Sequence, residues 1–173
     1  MHKFLGLLST VILSFALMTG CSQAASDTAK VDDAVKAAEY YKNVEYDIKA
    51  SEDILSETSI QQRNEEMKPF FTESFYEKAV NSRYTTLPLE ASHKQKLSLK
   101  PENLQFKLEE QKKDIIVLNY TVDLVLLDQA GKESQRIPME GILTLFDVNG
   151  QWLVQGDRFD NPAFRKLIET VDK

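Results

Sequence analysis

The chain is poor in the residues from which most reactive sites are built. It has one cysteine, Cys21, and two histidines, of which only His93 lies outside the leading segment. One cysteine excludes an intramolecular disulfide and a multi-cysteine zinc site, and one body histidine excludes a multi-histidine metal site. A Ser–His–Asp triad would have to use His93, which no nucleophile elbow accompanies. The six glycines are scattered and build no phosphate-cradling loop, so no motif implies a cofactor. Basic side chains are outnumbered 21 to 27, for a net charge of −6. That balance argues against nucleic acid as a partner and against electrostatic adhesion to anionic lipid.

Long hydrophobic runs are scarce too, and the one present is informative. Phe4 to Met18 is apolar, follows the short positive start Met1-His2-Lys3, and ends in Thr19-Gly20-Cys21. A charged end, an apolar stretch and small residues at its far side form an export signal. About 15 residues fall short of the roughly 20 that cross a bilayer as a helix.

Met18-Thr19-Gly20-Cys21 resembles the lipobox of bacterial lipoproteins, departing only at Met18, where that family usually has leucine. The resemblance implies a signal peptide over 1–20, cut before a Cys21 that carries a diacylglyceryl group, and a protein held on the extracytoplasmic face of the cell membrane by its fatty chains. Ser22 after the cysteine would fit outer-membrane retention in a two-membrane host. The alternative for a lone cysteine is a buried thiol, but Ser22 to Asp27 is small and polar and offers no core. Only Lys3 is charged before Cys21, so the mature chain of 153 residues has a net charge of −7. That length suits one domain with a single core.

Residues 21–29 read as a flexible tether and 30–173 as one α+β domain. Val31, Val35, Ala38, Tyr41, Val44 and Ile48 recur at steps of three and four, placing them on one helical stripe, although Val44 to Ile48 also alternates as a strand would. Ser51 is positioned to cap a second helix that fades in the polar stretch 61–66. After Pro69, a helix is expected over 72–83, with Ser74 to Glu77 at capping-box spacing, ending at Thr85-Thr86-Leu87-Pro88. The stretch 90–96, with His93, reads as a solvated loop. Strands are expected over 104–109, 115–127, 136–148 and 152–159. Asn149-Gly150 between the last two is a strong hairpin signal, because both central residues of a type I′ turn need positive φ. Short turns make consecutive strands an antiparallel meander. Strands of about 12 residues twist too far to stay flat, so the helices should fill the concave side. Asn161, Pro162 and the stripe Phe164, Leu167, Ile168 and Val171 mark a last helix.

Helices followed by a bent antiparallel sheet ending in Leu143-Thr144-Leu145-Phe146-Asp147-Val148-Asn149-Gly150-Gln151-Trp152-Leu153-Val154 resemble the nuclear-transport-factor-2-like fold, over roughly 30–160. Members of that superfamily include enzymes, transport factors and lipoproteins, so the resemblance implies a fold and no reaction.

Carboxylates are the remaining source of chemistry. On one side of the second strand Asn119, Thr121 and Asp123 interrupt an apolar row, and Glu140, Thr144, Gln155 and Asp157 extend a polar patch on the last two strands. Inside the cone, Asp123 or Asp157 would act as an acid/base with its pKa raised by burial; otherwise the row is the solvent side of the sheet. Phe70, Phe71, Phe75 and Tyr76 form either a binding box or, at their helical spacing, core. The resulting expectation is a lipid-anchored extracytoplasmic binding or accessory protein, non-catalytic, that recognises a partner protein or small ligand at the cell envelope. The alternatives are a cone-pocket enzyme and a structural assembly module.

Overall fold

The computed structural model describes residues 20–159 and 161–169. The element order is α1 (Gly20–Tyr46), α2 (Glu57–Met67), α3 (Glu73–Asn81), α4 (Leu87–Gln95), β1 (Ser98–Lys112), β2 (Ile115–Leu127), β3 (Glu133–Val148), β4 (Gln151–Phe159) and α5 (Asn161–Glu169). The strands form one antiparallel meander in the order β1-β2-β3-β4, with the helices packed on its curved inner side. This is the α+β arrangement expected from the sequence, consistent with a nuclear-transport-factor-2-like fold. Residues 1–19 of the expected signal peptide 1–20, and Val171, lie outside the described residues.

The stripe on α1 behaves as its spacing predicts. Ala34, Ala38 and Tyr41 are fully buried against the sheet. The strand-like alternation of 44–48 is realised only at its end: α1 stops at Tyr46, and Ile48 makes an antiparallel bridge to Leu99. At the other end α1 continues through the expected tether. Its first turns are tied to the sheet where Gln111 Nε2 donates to the Asp27 carbonyl (3.1 Å) and Lys30 Nζ to the Lys113 carbonyl (3.2 Å).

Three helix boundaries differ from the sequence reading. The second helix begins after Ser56, whose hydroxyl accepts from Ser59 N, while Ser51 turns to Asp53. The polar stretch 61–66 is its middle, because this helix buries only Arg63 and Met67. The third is capped by Thr72 rather than Ser74. Thr86-Leu87-Pro88 opens α4 instead of closing a helix, since proline is tolerated in a first turn where its missing N–H has no partner to lose. His93 therefore lies on α4, exposed, and not in a loop.

In β1, Pro101 sits on an edge strand, where its missing donor costs least. Bulges fall between Glu102 and Gln105, with Asn103 at φ 53°, and between Leu108 and Glu110. The last hairpin turns at Asn149 (φ 56°) and Gly150 (φ 85°), as the dipeptide predicts. One further bulge reshapes the interior. Thr144 faces Gly156 while Leu145 faces Val154, so Gln155 is an extra residue in β4. Beyond it the alternation of faces is inverted.

Candidate functional site

Inverting the alternation brings Asp157 to the inner face, where Val154 already sits. Asp157 pairs across the ladder with Leu143, a core residue, and its side chain is 0% exposed. A carboxylate in such a place needs partners, and α1 supplies them. Tyr41-Lys42 and Glu45-Tyr46 are one helical turn apart, which puts all four side chains toward the sheet. Lys42 Nζ lies 2.5 Å from Asp157 Oδ2 and 2.7 Å from Glu45 Oε2, and donates to Tyr120 OH at 2.9 Å. Tyr41 OH donates to Asp157 Oδ2 (2.9 Å), Tyr120 OH to Asp157 Oδ1 (3.1 Å) and Tyr84 OH to Glu45 Oε1 (2.8 Å). The ammonium also stands 4.1 Å from the Tyr120 ring centroid and 4.9 Å from that of Tyr46, distances at which the ring faces attract a cation. Among the described residues, no buried side-chain nitrogen or oxygen lacks a hydrogen-bond partner.

The electrostatics follow from burial. Leaving water disfavours the charged ammonium, but the Asp157 and Glu45 carboxylates more than reverse that, and Lys42 holds its proton beyond the ordinary lysine range. Burial raises the Glu45 carboxyl above its usual range; Lys42 opposes this and Asp157 adds to it. Burial, reinforced by the two carboxylates, keeps Tyr41, Tyr46, Tyr84 and Tyr120 protonated well past ordinary phenol values. Two neighbours complete the setting. A methyl group at Gly141, which pairs with Tyr120, would run into the Arg158 carbonyl oxygen and stand 2.5 Å from Tyr120 Cζ, so only glycine leaves room for that ring. Buried Arg63 donates to the carbonyls of Val44 (3.1 Å), Glu45 (2.7 Å) and Thr85 (3.2 Å), closing the C-terminal end of α1 with a cation.

The seven residues singled out in the sequence do not converge. Only Asp157 reaches the interior. Asn119, Thr121 and Asp123 alternate with the buried Leu118, Tyr120 and Val122 and lie on the outer face, as does Glu140 opposite Thr121. Asp123, 25% exposed, accepts from Asn103 Nδ2 (2.7 Å) and Arg136 Nη1 (3.3 Å), beside Glu102 and Glu133 on the same arginine. A shallow cavity of about 470 Å³ lies there, lined by Thr121, Asp123 and Glu140 among others. Thr144 faces Gly156 on the same side, and Gln155, on the bulge, accepts from Thr72 Oγ1 (2.5 Å). Of the aromatic group, Phe71 and Phe75 are core, while Phe70 is half-buried at the wall of a groove. As members of a polar cluster, Lys42, Glu45 and the four tyrosines escape the sequence reading, which places Tyr41 only on the apolar stripe. The available signal is a lysine and a glutamate three residues apart, flanked by tyrosines, beside the apolar stripe of a helix. Among the described residues, no cluster of His, Cys, Asp or Glu has the arrangement of a metal site, and no helix is long and apolar enough to cross a membrane.

No protein-family model matches the chain, and no curated protein is similar to it. Among solved structures, a periplasmic fragment of TraM superposes with a TM-score of 0.51 at 13% identity, over 76% of this chain and 97% of that one. The TraH protein of the Gram-positive conjugative plasmid pIP501 gives 0.40 at 10% identity, covering 75% and 93%. A designed chain of the nuclear-transport-factor-2 type gives 0.30 at 15%, covering 79% and 99%. At these identities the TraM likeness is one of fold.

Proposed function

We propose that this chain is a lipid-anchored, extracytoplasmic accessory protein that recognises a protein partner at the cell envelope and catalyses no reaction. The observation that carries the non-catalytic part is the sealing of Asp157. Both of its oxygens are taken by Lys42, Tyr41 and Tyr120, and no surface of the side chain reaches solvent. A carboxylate with no access to solvent has no position from which to take a substrate proton. Asp123, the other candidate, lies on the outer face in a cluster around Arg136. The lipid anchor rests on the segment ending Thr19-Gly20-Cys21. The TraM fragment, which shares the fold, is periplasmic by name, in keeping with an extracytoplasmic setting.

The decisive experiment is a pair of measurements on protein from its native host. Intact mass should show a mature chain beginning at Cys21 with acyl chains attached, and Cys21→Ala should move the protein from the detergent-requiring membrane fraction to the soluble one. An unmodified thiol, or a wild-type protein that washes off without detergent, overturns the reading. Turnover of a metabolite abolished by Asp157→Asn in a still-folded protein would restore the enzyme alternative. A structural assembly role through self-association is a second reading. It is favoured by Ile115, Val117, Ile142, Phe146 and Leu153, half-buried on the outer face and outside the core cluster. Phe146→Lys should then shift the sedimentation coefficient of the detergent-solubilised protein.

A further inference from the structure

Beside the sealed cluster, and open to solvent, is a groove of about 480 Å³ between α1, the turn at Pro69-Phe70 and the start of β4. Its walls are aromatic. Tyr40 is 66% exposed and meets the Phe70 ring edge-on at 5.2 Å, and Trp152 faces them from β4.

The groove also exposes unpaired backbone. The two-residue turn at Asn149-Gly150 makes Val148 and Gln151 a mutually hydrogen-bonded pair, and the next such pair is Phe146 with Leu153. Trp152 and Val154 therefore direct their N–H and C=O groups away from β3, toward the free edge. For Val154 this edge is used: its carbonyl accepts from Thr72 N at 3.0 Å, and Phe71 bridges it in parallel. The chain before Phe71 turns away through Lys68–Phe70, so the edge groups of Trp152 are left facing the groove. Two carboxylates complete the lining. Asp33 (side chain 64% exposed) meets only the surface amine of Lys36, and Glu66 (56% exposed) uses Oε2 for Arg63.

We propose that this groove binds an extended, arginine-bearing segment of a partner protein. Its main chain adds to the β4 edge at Trp152, and its guanidinium stacks on Tyr40 and Phe70 between Asp33 and Glu66. Edge pairing supplies affinity independent of sequence, while aromatic faces and carboxylates select a planar cation. The net −6 charge of the chain favours the same partner through its approach. The proposal gives a chemistry to the partner of the accessory reading and rests on that reading. The two fail separately, because anchoring is read at Cys21 and binding at the groove.

The chain has one tryptophan, so its emission reports the groove directly. Detergent-solubilised full-length protein is titrated with an eight-residue peptide alternating arginine and threonine, with its glutamate-for-arginine counterpart, and with the arginine peptide N-methylated at alternate amides. The expected result is a saturable change in Trp152 emission with the first peptide only. Tyr40→Ala should weaken binding about tenfold, the loss of one stacked cation. Asp33→Asn with Glu66→Gln should weaken it several-fold and flatten its salt dependence, with the far-ultraviolet dichroism unchanged in both variants. Equal binding of the glutamate peptide, no effect of Tyr40→Ala, or undiminished binding of the N-methylated peptide overturns the proposal. So does an emission change that follows protein concentration alone, which would make a second copy the occupant.

Discussion

The two faces of this sheet carry the same chemical groups in opposite circumstances. Inside, one lysine meets two carboxylates in a volume closed by four tyrosines; outside, Arg136 meets Asp123, Glu102 and Glu133 at 3.3, 2.8 and 2.6 Å. The outer set is larger by ion-pair count, yet its members are a quarter to nearly half exposed and water competes for each of them. The inner set has no such competitor. Any partner it loses is not replaced, so its worth lies in what breaking it costs more than in what forming it gains.

The largest effect should come from Lys42→Ala, which leaves Asp157 and Glu45 buried without their counter-ion. Destabilisation of about 3–5 kcal/mol is expected by urea unfolding. A loss below about 1 kcal/mol would mean that water enters the cluster and that the two faces are alike. Replacing Lys42, Glu45 and Asp157 together with Met, Leu and Leu should recover most of that loss, since hydrophobic replacements of a buried ion group are often neutral. Next is Gly141→Ala, which forces Tyr120 or the β4 backbone to move and should cost about 2 kcal/mol. Tyr120→Phe removes one hydrogen bond to each of Lys42 and Asp157 and should cost about 1–2 kcal/mol. Arg136→Ala should change stability by no more than about 1 kcal/mol, with even that vanishing at high salt.

Alkali sharpens the contrast. Lys42 binds its proton more tightly in the folded chain than its ordinary 10.5. Its contribution is therefore complete below that value and drains away as pH rises through the folded one. The buried tyrosines act in the same direction. The urea midpoint should fall steeply above about pH 10, and the fall should be shallower in the Met–Leu–Leu variant. Glu45 is also raised, so its share is present below the ordinary glutamate value and declines as pH climbs through the folded one. Glu45→Gln should flatten the profile on the acid side. An unchanged profile in both variants would show that other groups govern it.

Much of the fold was legible because period and punctuation agree. The β2 segment is rich in β-branched and apolar residues, Asn149-Gly150 fixes the last hairpin, and the α1 stripe keeps its spacing from Val31 to Val44, about four turns. Of the middle helices only α3 was placed, within the expected 72–83; α2 buries too few side chains to leave a stripe, and the first-turn proline of α4 resembles a stop. The cluster was half legible. Asp157 could be chosen as a carboxylate worth watching, but two-residue alternation would set it on the face opposite Val154. Nothing local announces that Gln155 is supernumerary. Lys42 and Glu45 were hidden for a related reason: charges beside an apolar stripe ordinarily mark its solvated border, and only a carboxylate across the gap makes them interior.

That single supernumerary residue bears on how such chains are compared. A strand does not label its own sides; it counts from its last irregularity. A relative that keeps the same interior lysine but lacks the insertion would carry its acidic counterpart one place earlier, where column-by-column alignment registers a mismatch. Kinship among proteins of this shape is better sought in the parity of positions counted from the last irregularity than in their letters: with Gln155 removed, the acid would still face Leu143, one place earlier in the chain.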